Sequence, residues 1–174
     1  ELTERRFSSI SCMLDMIAVE GPRLEVPLLT GTSLLRYASA GDAAMRDAAK
    51  AVRERFFEED PELHTFDINE MYAMRPDGML LAGDTHRTSD TVDPFQEGAA
   101  FDVLERLTST MFGMHRPRII ERWQGVYATA PEPYLIADVA PGVRIASITT
   151  GLGMTTGLAF AEQASEFLRQ PIEI

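Results

Sequence analysis

A glycine-rich turn near the end of the chain combines residue types that suit an electron-rich ligand. Residues 151–155 read Gly-Leu-Gly-Met-Thr, between an alternating run at 143–149 that is typical of a strand and a run at 158–168 with helical spacing. Glycine lets a backbone approach a ligand closely, and a helix N-terminus offers N–H groups and partial positive charge. The spacing Gly-x-Gly-x-x-x-Gly is not the dinucleotide fingerprint, so a plain tight turn in which glycine serves packing is the alternative.

A polar stretch at residues 84–94 could bind a metal ion. We expect it to be a loop, and loops carry functional residues more often than the framework does. Asp84 and His86 are two positions apart and would face the same way on a strand, with Asp90 and Asp93 nearby. A metal-dependent hydrolase is therefore one hypothesis, and a solvated acidic turn is the structural alternative.

Composition restricts the class of protein. A length of 174 residues predicts one domain, with room for an appended piece. The formal net charge of −11 argues against a nucleic-acid surface, which needs a basic footprint. We find no run of about 20 apolar residues, so we expect no membrane span. The single cysteine, Cys12, excludes an internal disulfide and favours a reducing compartment, so we expect a cytoplasmic protein.

The elements that must position these residues alternate between strands and helices. Strands are predicted at 7–19, 33–37, 118–128, 135–137 and 143–149, and helices at 42–58, at 94–114 and after the glycine-rich turn. The Pro-Asp-Gly sequence at 76–78 lies between two apolar runs and predicts a hairpin. We therefore predict an α+β fold, with a mainly antiparallel sheet and helices on one face.

Three segments together resemble the C-terminal half of FAD-dependent oxidoreductases of the D-amino-acid-oxidase/glycine-oxidase superfamily. They are residues 83–86 (Gly-Asp-Thr-His) followed by 93–95 (Asp-Pro-Phe), residues 121–127 (Glu-Arg-Trp-Gln-Gly-Val-Tyr), and the turn at 151–155. Within the superfamily the chain looks most like a subgroup found with phosphonate-degradation genes. Each motif alone is weak, and the order and spacing of the three give the resemblance its specificity.

The resemblance implies a substrate domain at residues 1–142, whose sheet roofs the flavin. Residues 143–174 would then be a strand, glycine loop and helix that return to the FAD-binding domain. The implied cofactor is FAD, contacted by the loop residues Gly151, Leu152, Gly153, Met154 and Thr155. Helix N–H groups there would stabilise the negative charge that develops on the flavin when hydride arrives.

The fingerprint Gly-x-Gly-x-x-Gly, which holds the FAD pyrophosphate in this superfamily, is absent from these 174 residues. By resemblance the chain is the C-terminal portion of an enzyme whose N-terminal FAD-binding half is missing. We expect that it does not turn over substrate alone. Since the flavin carries the chemistry, no single residue is assigned as catalytic.

The substrate is expected to be a small anionic amine. In amino-acid oxidases of this superfamily an arginine that grips the substrate carboxylate stands where this chain has Tyr127. A phosphonate carries nearly two negative charges, which suit the fork of an arginine, so an aminophosphonate is a candidate. The candidate substrate-binding residues are Arg36 and Arg122, with His86, Arg87 and Tyr127 as helpers. The structural alternative is that Arg36 is a surface residue and that Arg122 forms an ordinary ion pair.

A second hypothesis from another class stays open. The scaffold could serve as a non-enzymatic module that binds a small anion or mediates oligomerisation. Retention of an anion without flavin would favour this module, whereas FAD-linked amine oxidation would favour the enzyme.

Overall fold

The longest alternating run of the sequence forms the centre of a mainly antiparallel sheet. The computed structural model describes residues 10–37 and 42–166. In chain order the elements are β1 (Ile10–Val19), β2 (Leu28–Leu29), α1 (Gly31–Tyr37), α2 (Ala43–Glu59), α3 (Pro61–Thr65), β3 (Met71–Met74), β4 (Leu80–Gly83), β5 (Arg87–Ser89), α4 (Gly98–Phe112), β6 (Ile119–Thr129), β7 (Tyr134–Ala140), β8 (Val143–Ile148) and α5 (Gly153–Ser165). The predicted α+β class is confirmed.

The main sheet has the strand order β2-β3-β4-β1-β5, and β6 also pairs with β1. Strands β1 and β3 flank β4 in antiparallel register, with Ile17 and Tyr72 both opposite Ala82. Strands β7 and β8 form a separate antiparallel pair. The predicted hairpin is confirmed, because the N–H of Arg75 donates to the carbonyl of Met79 (2.9 Å) across the Pro-Asp-Gly turn.

One apolar core lies between the sheet and helix α4. Ile17 and Val19 project from β1 towards Phe101 and Leu104 of α4, and all four side chains are buried. Leu63 of α3 packs against the same cluster. Burying such side chains contributes roughly 1.5–3 kcal/mol each, so this layer holds the sheet in place.

Two details of the sequence interpretation are wrong. Residues 33–37 were expected in a strand but lie in helix α1, where Ser33 is buried and its hydroxyl donates to the side-chain carbonyl of Asn69 (2.6 Å). Helix α2 begins as predicted after the N-cap Asp42, whose carboxylate accepts from the N–H of Met45 (2.8 Å). Residues 84–94, expected to be a loop, include the short strand β5 (Arg87–Ser89).

The described residues fall into two compact units. We call residues 13–37, 42–87 and 93–125 the larger unit, and residues 10–12, 88–92 and 126–166 the smaller unit. Strands β7 and β8 and helix α5 belong to the smaller unit. Assignment of residues 143–174 to an FAD-binding domain stays a prediction. Among the described helices, none combines the length and apolar character needed to cross a membrane.

Candidate functional site

A buried polar cluster in the larger unit begins where strand β4 ends. Asp84, Thr85 and His86 follow the strand directly, and all three are buried. Asn69 and Asp84 exchange two backbone hydrogen bonds (2.8 and 2.7 Å), and the side-chain amide of Asn69 donates to Oδ1 of Asp84 (2.7 Å). This double anchoring fixes the Asp84 carboxylate inside the unit.

The Asp84 carboxylate faces the imidazole of His86, with 3.6 Å between Oδ2 and Nε2. Burial raises the pKa of the Asp84 carboxyl above its usual range, because desolvation disfavours the charged form. Burial lowers the pKa of His86 for the same reason, although the nearby Asp84 carboxylate opposes that shift. Burial thus shifts the pKa of each group in the direction of its uncharged form, and the charge on one group affects the pKa of the other.

Asp67 brings two of the predicted substrate-binding residues together. Its carboxylate accepts from Nη1 of Arg36 (2.8 Å), and its backbone carbonyl lies 3.1 Å from Nδ1 of His86. A carbonyl can only accept, so Nδ1 carries the proton and Nε2 faces Asp84. Asp67 has φ of 41°, a left-handed conformation that aspartate tolerates better than most residues. Arg36 and His86 are thus neighbours, as a shared anion site requires.

Arg122 lies elsewhere in the larger unit, over helix α4. Its guanidinium group is 5.6 Å from the ring centroid of Phe101 and 4.0 Å from the carboxylate of Glu105. Nearly half of the side chain is exposed. Cation–π contact and a long ion pair explain this position without a ligand, so the structure does not join Arg122 to the pair formed by Arg36 and His86.

A second buried carboxylate was missed from the sequence. Asp15 points from β1 into the unit and accepts from the hydroxyl of Thr85 (3.0 Å) and the side-chain amide of Gln124 (3.2 Å). The only hint in the sequence was an aspartate within an otherwise apolar strand. The alternation of side chains along the strand would have predicted that this aspartate faces solvent. Its partners could not be foreseen, because they lie 70 and 109 positions away in sequence.

The predicted cofactor loop lies in the smaller unit. Gly151 has φ of 74°, and a Cβ atom at this position would lie 3.0 Å from the ring of Tyr127. Just before it, the buried Thr149 is anchored by its N–H to the carbonyl of Pro133 (3.1 Å) and by its hydroxyl to the carbonyl of Glu132. Glycine is therefore required at 151 by backbone conformation and by the aromatic ring. Tyr127, predicted near the substrate, lies against this loop.

Helix α5 begins at Gly153 and offers an open N-terminus. Its N-cap residue, Leu152, makes no side-chain capping bond, and a Cβ at Gly153 would meet nothing within 4 Å. The N–H groups of Thr155 and Thr156 both donate to the carbonyl of Leu152 (3.0 Å each). The open space at Gly153 leaves the loop backbone accessible to a ligand.

Helix α5 also presents apolar side chains outwards. Met154 and Leu158 are one turn apart and are 102% and 91% exposed. Ala164 is the only buried residue among the described positions of the helix. An exposed apolar face on a helix is normally covered, so this face resembles one that packs against further protein.

The hypothesis of a metal-dependent hydrolase gains no support. Within residues 10–37 and 42–166, no three His, Cys, Asp or Glu side chains come close enough to hold a metal ion. Asp84 and His86 do face one another, but Asp84 is occupied by Asn69 and His86 by the Asp67 carbonyl. Their polar atoms serve the internal network of the unit.

Comparison with protein-family models, with curated proteins and with solved structures yields no match for this chain. A functional assignment therefore depends on the residues and geometry described above.

Proposed function

We propose that this chain is the C-terminal portion of an FAD-dependent oxidoreductase that oxidises a small anionic amine, with aminophosphonates as candidate substrates. The observation that carries the proposal is the loop at residues 151–155, where an obligatory glycine precedes an uncapped helix N-terminus. The motif resemblance at residues 83–86, 121–127 and 151–155 supports the same function.

FAD, when bound, accepts a hydride from the carbon that bears the amine. The residues of this chain would orient the substrate and would place positively charged or partially positive groups beside the negative charge of the substrate and of the flavin. The N–H groups at the start of α5 would face the electron-rich edge of the flavin, since partial positive charge there favours added electrons. Gly153 would let the two groups approach closely, because no side chain intervenes.

The anionic end of the substrate would bind at Arg36, with His86 beside it. Asp67 holds both residues in place, so the anion would meet a guanidinium group whose position is already fixed. Tyr127 and Arg122 stay as further candidates. Without an N-terminal FAD-binding half, we expect the chain to be inactive, and we propose a cytoplasmic enzyme from the single buried Cys12.

The test begins with the coding sequence upstream of the codon for Glu1. We expect it to encode a strand, Gly-x-Gly-x-x-Gly and a helix, and the complete protein to purify with FAD. Anaerobic mixing with a panel of primary amines, including aminophosphonates, should bleach the visible absorbance of the oxidised flavin. A complete protein that holds no flavin, or a flavin that no amine reduces, would overturn the proposal.

The non-enzymatic module is favoured by one specific observation, the exposure of Met154 and Leu158 on helix α5. An apolar face of this kind also suits a subunit contact. Sedimentation of the 174-residue chain separates the two functions, because a module built for oligomerisation associates without flavin. The hypothesis of an enzyme instead requires that the complete protein contains FAD.

A further inference from the structure

We infer that the cleft between helices α1 and α2 of the larger unit binds a small oxyanion of the phosphate or phosphonate class, and that Arg53 is its second arginine. The cleft is lined by Arg36 and Arg53, by the rings of Phe56 and Phe57, and by Asp67. It measures about 280 Å³ including the part open to solvent, which suits a ligand smaller than a typical drug-sized molecule.

Arg53 is held in place by a contact that does not neutralise it. Its Nη2 donates to the backbone carbonyl of Leu35 (3.1 Å), near the end of helix α1. Among the described residues, no carboxylate oxygen lies within 4.0 Å of its guanidinium group. Since guanidinium carries five N–H donors, others remain for an acceptor in the cleft.

Most described arginines of this chain, whose formal net charge is −11, lie within 4.0 Å of a carboxylate of the described residues, whereas Arg53 does not. On the same helix, Arg55 pairs with Glu59 (3.6 Å), and across the cleft Arg36 pairs with Asp67 (2.8 Å). Among the residues that line the cleft, two carry guanidinium groups and one carries a carboxylate. An oxyanion is the complementary ligand, and two arginine forks suit its several acceptor oxygens.

Aromatic residues make part of the cleft lining apolar. Phe56 and Phe57 line it beside the two arginines, and both side chains are partly buried. A ligand with an anionic end and a short carbon chain could place its charge on the arginines and its carbon atoms on the rings. The enclosed part of the cleft holds only about 10 Å³, so the ligand would occupy the open part.

This inference rests on the proposed function in one respect, namely that Arg36 belongs to the substrate site. It adds Arg53 as a residue that determines specificity and places the anionic end of the substrate between α1 and α2. The site itself requires only this chain, so it can be tested without flavin.

The test is calorimetric titration of the 174-residue chain with orthophosphate and with methylphosphonate. Arg53→Gln removes the proposed ligand contact, and Arg55→Gln removes one positive charge from the same helix at a position that does not line the cleft. Loss of a charge-assisted hydrogen bond should weaken binding by about tenfold or more in Arg53→Gln. Arg55→Gln should change affinity by less than about twofold, because exposed charges are screened.

Arg53→Lys separates charge from geometry, and it should retain part of the affinity because it keeps the charge but lacks the fork. Circular dichroism and thermal unfolding check that each variant folds. Equal losses of affinity in Arg53→Gln and Arg55→Gln would overturn the inference. So would a folded wild-type chain that binds neither anion at about 10 mM, which is the limit of even weak specific binding.

The two anions distinguish the sources of the ligand. Tighter binding of methylphosphonate supports an organic substrate whose carbon chain contacts the rings, whereas equal binding supports inorganic phosphate. If the anion binds here but no amine reduces the flavin of the complete protein, the inference holds and the proposed function fails. If amines reduce the flavin but Arg53→Gln changes neither anion binding nor KM, the proposed function holds and the inference fails.

Discussion

The Nε2 atom of His86 lies 3.6 Å from the Oδ2 atom of Asp84, and both side chains are buried in the larger unit. This separation is too long for a direct hydrogen bond. It is short enough, in a poorly solvated interior, for the charge of one group to alter the proton affinity of the other. Arg36 and Asp67 also act on this pair, from helix α1 and from the segment before β3 respectively.

Replacing Asp84 should lower the pKa of His86 further. Burial already holds this pKa below its ordinary value, and the Asp84 carboxylate is the largest influence that opposes the shift. Asp84→Asn removes that negative charge while an amide oxygen can still accept from Asn69. NMR titration of the imidazole signals measures the change, with His64 and His115 as internal references. A His86 pKa that stays constant or rises would contradict the coupling.

The same pair predicts a pH dependence of stability, measured best in the Asp84→Asn background, where His86 titrates alone. Its pKa is lower in the folded state than the ordinary 6.5, so the unfolded chain takes up the proton first as pH falls. The free energy of unfolding should therefore fall as pH drops below 6.5, by at most about 1.4 kcal/mol per pH unit, until the folded state is also protonated.

Urea unfolding of Asp84→Asn and of the double variant Asp84→Asn/His86→Asn, between about pH 8 and about pH 5, isolates this contribution. The double variant lacks the imidazole, so the two stability curves should converge towards acid pH. Parallel curves over the whole range would mean that His86 has the same pKa in both states.

Two glycines of the loop should respond differently to alanine. Gly151→Ala puts a Cβ at a backbone with φ of 74°, 3.0 Å from the Tyr127 ring, and should cost about 1–3 kcal/mol. Gly153→Ala falls at the first position of α5, where a Cβ meets nothing within 4 Å. It should be neutral or stabilising by up to about 1 kcal/mol. Chemical denaturation of both variants tests this, and similar losses would disprove the assigned loop conformation.

Two helical leucines provide a matched test of burial. Leu104 of α4 is 2% exposed and packs in the core, so Leu104→Ala should cost about 2–5 kcal/mol. Leu158 of α5 is 91% exposed, and Leu158→Ala should change the free energy of unfolding by less than about 0.5 kcal/mol. A large loss from Leu158→Ala in the isolated chain would show that its side chain is covered, for example by self-association.

Local sequence signals predicted much of the secondary structure. The Pro-Asp-Gly turn determined the β3–β4 hairpin, because Gly78 adopts the φ of 87° that few other residues accept. Asp42 marked the start of α2 because its carboxylate caps the first turn. Both signals act within four residues, so they can be read without knowing the fold.

Features of the structure that depend on residues distant in sequence could not be predicted from the sequence. Residues 33–37 resemble a short strand by composition, yet they are helical where Ser33 meets Asn69 and Arg53 meets Leu35. Helix α2 also contains apolar residues, yet none of its residues is buried. Tertiary context decides such cases, because propensity contributes only tenths of a kcal/mol per residue.

The candidate site was predictable in part for the same reason. Arg36 and His86 were singled out by residue type, but their meeting at Asp67 depends on contacts 31 and 19 positions apart. Arg53 was overlooked because it sits among other charges on a helix, where an arginine normally faces solvent. Only the fold reveals that it borders a cleft and that no carboxylate of residues 10–37 or 42–166 lies within 4.0 Å of its guanidinium group.

Strand β1 is the earliest described element in the chain, yet one of its partner strands comes about 100 positions later. Strand β6 pairs with β1. The hydrogen bond between Gln124 and Asp15 joins residues 109 positions apart, and the hydrogen bond between Arg118 and Glu20 joins residues 98 positions apart. Loops of this length must close before such contacts form, and proteins rich in distant pairings fold slowly. During synthesis, β1 therefore lacks its partner β6 until residues 119–129 have left the ribosome. We expect its apolar face to be a site for chaperones during that interval.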